Sequence, residues 1–160
     1  MNDKRDPLAG IDEVPWHRLV HFYGRASDVP PAIRALGGPD REEAIRHLRG
    51  CLEHQDGVIQ ATPFAVRFIL RMRDKDPDGV QAIIEPIAAA AEFTLKNART
   101  PLTEVSWETS LAEDRLLPEF SSECDDAIQW EERDTSPEEW LAWAILTLRE
   151  IAQAASPADT

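Results

Sequence analysis

The sequence predicts an all-α fold of about six to eight helices in one domain over residues 1–160. Three observations lead there. Gly, Pro and Asp recur at short intervals, as helix stops and starts do. Between them, apolar residues fall three and four apart, the spacing of one buried helix face. No stretch shows the alternation of a half-buried strand. With 160 residues, 42 % of them hydrophobic, the chain is long enough to enclose a core.

In chain order, residues 16–23 read as a short helix closed by Gly24. Asp28 stands where it would cap the next helix, VPPAIRAL, which Gly37 and Gly38 end. Asp40 leads REEAIRHLRGCLEH, with Glu43 in the capping-box position and Ala44, Ile45, Leu48, Cys51 and Leu52 as its apolar face. Thr62 caps a fourth helix with Pro63 in its first turn; Phe64, Ala65, Phe68, Ile69 and Met72 form its buried side. Asp76-Pro77 opens a long helical stretch over 76–100, which Pro86 is expected to kink or split. RTPLTEVSWETS reads as a break, with TEVSWETSLAEDRLL as an alternative helix that would carry Leu102, Val105 and Trp107 inward, and residues 119–133 suit a further helix striped by Phe120, Cys124 and Ile128. Ser136, Pro137 and Glu139 then supply a cap, a first-turn proline and an early acid, so a helix is expected from 137 to about 155. One of its faces carries Trp140, Leu141, Ala144, Ile145, Leu148, Ile151 and Ala152, while Leu146 falls opposite and Trp143 to the side. Such a helix is either sandwiched within its own domain or presents Trp143 and Leu146 as an anchor with an acidic rim.

Helix, short turn, helix, repeated over residues 16–75, is the arrangement of units that bury their apolar faces only on a neighbour. The stretch WHRLVHFYGRASDVPPAIRALGGPDREEAIRHLRGCLEHQDGVIQATPFAVRFIL carries further features in order. They are a Trp/Leu opening, the HFYG turn, A-S-DVP, an Asp-led helix, and HQ before ATPFAVRF. In these features residues 16–72 resemble bacterial HEAT-repeat-like proteins. Two positions depart from that pattern: Asp56, where Gly is usual, and Arg67, where Pro is common. The resemblance implies stacked helix pairs over 16–75. The long helical stretch (76–100) and an acidic helical part (101–160) would complete the same domain. It also makes His54-Gln55 a structural joint, whose imidazole and amide satisfy backbone groups between two helices. The alternative is a ligand contact at the edge of the repeat.

Chemistry is thinly represented. His47, Cys51 and His54 share one helical face, and His17 and His21 another, a set of types that zinc accepts. Cys51, however, is in phase with the core stripe and no paired-Cys motif accompanies it, so no metal and no cofactor are expected. No serine sits in a strand-to-helix elbow, no cysteine stands beside a clear base, and no Gly loop cradles phosphate. Arg67, Arg71 and Arg73 make a small basic ridge. An enzyme, including a helical-repeat nucleic-acid enzyme, is not expected.

Charge is the most informative property. Residues 1–100 hold 15 acids and 14 bases, residues 101–135 hold 11 and 2, and residues 136–160 hold 4 and 1, giving the net −13. A nearly neutral part is thus followed by a strongly acidic one, which repels nucleic acid and anionic membranes and attracts basic partners. A non-catalytic protein-binding module is expected, in its sharpest form an acidic inhibitor or immunity-type protein covering a basic toxin. A general HEAT-like scaffold or regulatory subunit is the alternative. Glu108, Glu119, Glu123, Asp125, Asp126, Glu131, Glu132, Glu139 and Trp143 are the expected partner-contacting residues. No apolar run has membrane-spanning length. The opening MNDKRDPLAGIDEVP has charge without an apolar run behind it, so a cytoplasmic location with reduced Cys51 and Cys124 is expected.

Overall fold

A computed structural model describes residues 6–99, 105–119 and 135–155, and they are mostly helical. The helices are α1 (Val29–Arg34), α2 (Arg41–Leu52), α3 (Thr62–Arg71), α4 (Pro77–Lys96), α5 (Trp107–Ser110) and α6 (Pro137–Ala155). Two small antiparallel ribbons interrupt them. In the first, β1 (Val20–His21) pairs with β2 (Gly24–Arg25); in the second, β3 (Glu53–His54) pairs with β4 (Gly57–Val58).

Those ribbons correct two expectations. Residues 16–23 are a single 3-10 turn, Trp16–Arg18, running into β1. The chain is held extended there by outside partners: Val20 N–H donates to Gln60 Oε1 at 3.1 Å, and Ala61 N–H donates to the Val20 carbonyl at 3.1 Å. Similarly, α2 ends at Leu52, and His54-Gln55 belong to a hairpin rather than to a helix end. Gln55 and Asp56 take φ of 48° and 60°, the left-handed pair that a two-residue hairpin turn requires. Gly would suit the place of Asp56 better, since an L side chain there costs conformational energy.

Helix starts follow the sequence more closely in position than in mechanism. Asp28 and Asp40 precede α1 and α2, but neither side chain caps its helix. The Thr62 hydroxyl points backward, accepting from Ile59 N–H at 3.0 Å and donating to the Leu52 carbonyl at 2.7 Å. Asp76 does cap α4, accepting from Gly79 N–H at 3.0 Å, and Ser136 caps α6 through Glu139 N–H at 3.3 Å. Pro86 neither splits nor ends α4, which runs unbroken through it.

Asp76 also ties three elements together. One carboxylate oxygen accepts from Gly37 N–H at 3.0 Å and Arg41 Nε at 2.9 Å; the other accepts from Arg41 Nη2 at 2.9 Å as well as from Gly79. A methyl group at Gly79 would lie 2.6 Å from that carboxylate, and Gly37 needs its φ of +80° while facing the Lys75 backbone. Both glycines are therefore required by the close approach.

The core lies where α6 packs against both α3 and α4, with α2 against the other side of α4. Here the expected exposed anchor is corrected. Trp143 is 2 % exposed and Leu146 1 %, because α6 lies between α3 and α4 and must be apolar on two sides. The Trp143 ring stands edge-on to Trp140 at 5.0 Å, and Trp140 stacks on Phe22 at 6.4 Å. Leu48, Phe64 and Phe68 are buried as their periodicity predicts, and Ile45 is half-buried. Among the described residues no helix is long and apolar enough to cross a membrane.

Candidate functional site

The described part of the acidic region is a strap over residues 105–119, comprising α5 and a 3-10 turn, Glu113–Arg115. It is held chiefly through its backbone. Gln60, fully buried, donates from Nε2 to the Arg115 carbonyl at 2.7 Å while its Oε1 takes the Val20 N–H. Arg18 Nε donates to the Leu117 carbonyl at 2.7 Å, and Leu117 N–H returns a bond to the Arg18 carbonyl at 2.9 Å. Arg149 holds the Val105 carbonyl at 3.0 Å, and Trp107 packs edge-on to Phe64 at 4.6 Å. With the backbone anchored in this way, many of the strap's acids are left outward.

Glu108, Asp114 and Glu119 are exposed, and Glu119 lies 3.7 Å from His17 Nε2. Glu113 is bound by Arg18, whose hydrogen bond holds its carboxyl below the usual carboxylate range. Glu139 is half-buried and paired with Arg115, so it braces the strap against α6 instead of facing outward. Glu123, Asp125, Asp126, Glu131 and Glu132 lie outside the described residues, as do Cys124 and most of the helix expected over 119–133. Of the nine expected contact residues, the structure thus brings Glu108 and Glu119 to one exposed strap and removes Trp143 to the core.

The expected basic ridge is dismantled. Arg67 donates to Glu150 at 3.1 Å and lies 4.2 Å over the Trp107 ring. Arg71 covers the Phe68 ring and donates to the Ala9 carbonyl at 3.2 Å.

The histidines sort differently from their sequence spacing. His21, His47 and Cys51 converge, with one donor atom of each within 4.8 Å of the others, whereas His17 and His54 are elsewhere. Asp28, freed from capping, joins this cluster: its carboxylate lies 2.9 Å from His21 Nε2 and 3.0 Å from His47 Nε2. Desolvation pushes the Asp28 carboxyl up, but the His21 hydrogen bond and the two imidazoles outweigh it and hold it below its ordinary value. Tyr23 N–H donates to His21 Nδ1 at 3.0 Å, so the ring proton sits on Nε2, directed at Asp28. His21 consequently offers no free lone pair to a metal. Cys51 is 1 % exposed, and burial, helped by the Asp28 charge, pushes its thiol up to about 12. A thiol in that state is no nucleophile near neutrality. Through Asp28 the cluster links His21 of β1 to His47 of α2.

On the outer side of α2 lies an open groove of about 500 Å³. Arg46 and Arg49, one helical turn apart and off the core stripe, line it, with Tyr23 and His54 at its rim and Ile45 and Pro86 supplying apolar surface. Tyr23 is 72 % exposed, and the His54 ring lies 5.7 Å from Phe22 and 6.5 Å from Tyr23. Tyr23, Arg46 and Arg49 were not singled out from sequence; the only signal was an arginine pair outside the apolar stripe. Comparison with protein-family models, curated proteins and solved structures finds no match to this chain.

Proposed function

We propose that this chain is a non-catalytic protein-binding module whose acidic C-terminal part covers a basic protein partner. The observation that carries the reading is the charge partition, −9 within residues 101–135 beside −1 within residues 1–100. The strap geometry supports it: Glu108, Asp114 and Glu119 face outward from a backbone that Gln60 and Arg18 pin to the folded body. Charges on a fixed support lose little freedom on binding, which favours affinity as well as steering. In its sharpest form the partner is a basic toxin and the chain its HEAT-like immunity-type inhibitor; a general scaffold or regulatory subunit is the alternative.

The test is co-purification with tagged full-length chain from the native host, followed by mass spectrometry. A basic partner that is captured by the unmodified chain and lost when Glu108, Asp114 and Glu119 become Gln, Asn and Gln supports the reading. Capture of an acidic partner that ignores these substitutions rules it out. Inhibition of the partner's own activity by the chain separates inhibitor from scaffold.

A further inference from the structure

The groove on α2 is unlike the rest of this acidic chain. Arg46 and Arg49 form no ion pair among the described residues, although they belong to a molecule of net charge −13. Two acids also border the groove. They are Glu42, which Arg41 Nη1 meets at 2.5 Å, and Glu53, and neither is paired with Arg46 or Arg49 among the described residues. Ile45 and Pro86 add apolar surface between them, and Tyr23 stands at the rim with most of its ring in water. Arginine and tyrosine around a part-apolar depression are the residue types that dominate binding energy at protein interfaces. A guanidinium meets a carboxylate with two parallel hydrogen bonds, and neither arginine has such a partner within the described residues.

We propose that this groove binds an acidic peptide segment of a protein partner, its carboxylates on Arg46 and Arg49 and an adjoining apolar side chain against Ile45, Pro86 and the Tyr23 ring. His54, at the end of β3, then acts as a rim contact as well as part of a hairpin joint. The net charge of the chain does not forbid this. At physiological salt, fields are screened over about 8 Å, so local groups decide. Residues 1–100, which build the groove, are nearly neutral as a unit. The proposal is independent of the acidic face, which would take a basic surface.

The experiment uses the full chain and a short fluorescein-labelled peptide of alternating Glu and Leu, read by anisotropy at physiological ionic strength. A Gln–Leu peptide is the uncharged control and a Lys–Leu peptide probes the acidic face separately. Saturable binding of the Glu–Leu peptide is expected, weakened about tenfold or more when Arg46 and Arg49 are both changed to Gln. Tyr23→Ala should weaken it several-fold, since the Tyr23 contact to His21 is through its backbone and survives. All these side chains are exposed, and circular dichroism checks that the variants stay folded. The Lys–Leu peptide should be indifferent to the arginine changes. If the Glu–Leu peptide binds no better than the Gln–Leu control, or binds the double variant equally well, the groove has no such role.

Discussion

At the scale of single residues, the aspartates show how much local sequence can and cannot say. Asp28, Asp40 and Asp76 each precede a helix, and the pattern reads Asp28 and Asp40 as caps and Asp76-Pro77 as a helix opening. Only Asp76 caps with its side chain, because a carboxylate goes to the strongest donors in reach, and those are set by tertiary contacts. Asp28 finds two imidazoles from other elements; Asp76 finds Arg41 as well as its own helix. The Arg41 bonds, with those from Gly79 and Gly37, hold the Asp76 carboxyl down at about 2 against an ordinary 3.8. The folded value is depressed, so this group stabilises the fold fully above about pH 4 and its contribution disappears as pH falls from about 4 to 2. Asp76→Ala should cost on the order of 2–4 kcal/mol near neutrality, since it leaves a guanidinium, the buried Gly79 N–H and the Gly37 N–H without their acceptor. Urea denaturation of the natural chain and the variant, compared at neutral pH and through this acid window, should show their difference shrinking on acidification. A difference that is constant with pH would mean the carboxylate is not held as described.

Elements were legible to the extent that apolar periodicity and backbone breakers specify them. The α3 and α6 boundaries agree with Thr62, Pro63, Ser136 and Pro137 in the sequence, and α2 with its apolar face. The ribbons were not legible: two-residue strands have no periodicity to read, and β1 is extended because Gln60 and Ala61 hold it there, forty residues away in the chain. The two apolar faces of α6 were visible, but not which of two physical reasons explained them. Packing between α3 and α4 is the reason, and it changes what Trp143 does. Trp143→Ala should destabilise the fold on the order of 3–5 kcal/mol by leaving a cavity beside Trp140. Its effect on partner binding per folded molecule should be small. Chemical denaturation and binding by correctly folded protein separate these outcomes; a stable variant with lost binding would return Trp143 to the interface. The strap was legible as acidic but not as anchored, because Gln60 and Arg18 act through backbone carbonyls that carry no sequence signature.

For the molecule as a whole, the segregation of charge makes a kinetic prediction. Dispersed charge would serve solubility equally well, so the concentration of 11 acids and only 2 bases in residues 101–135 calls for another use. Long-range attraction acts mainly on the encounter, raising the association rate in proportion to the field at the approaching surface. Added salt shortens the reach of that field from about 10 Å at 0.1 M to about 3 Å at 1 M. The association rate with a basic partner should therefore fall steeply as salt rises, while dissociation, set by close contacts, changes little. Replacing Asp125 and Asp126 by Asn removes two of the eleven acids and should slow association further at low salt than at high salt. Glu139→Gln offers an internal contrast. Glu139 braces the strap on Arg115 instead of facing outward, so its loss should lower thermal stability more than it changes the association rate. Stopped-flow association measured against ionic strength, for the natural chain and both variants, gives all three quantities. An association rate indifferent to salt and to Asp125 and Asp126 would leave the acidic region without a steering role.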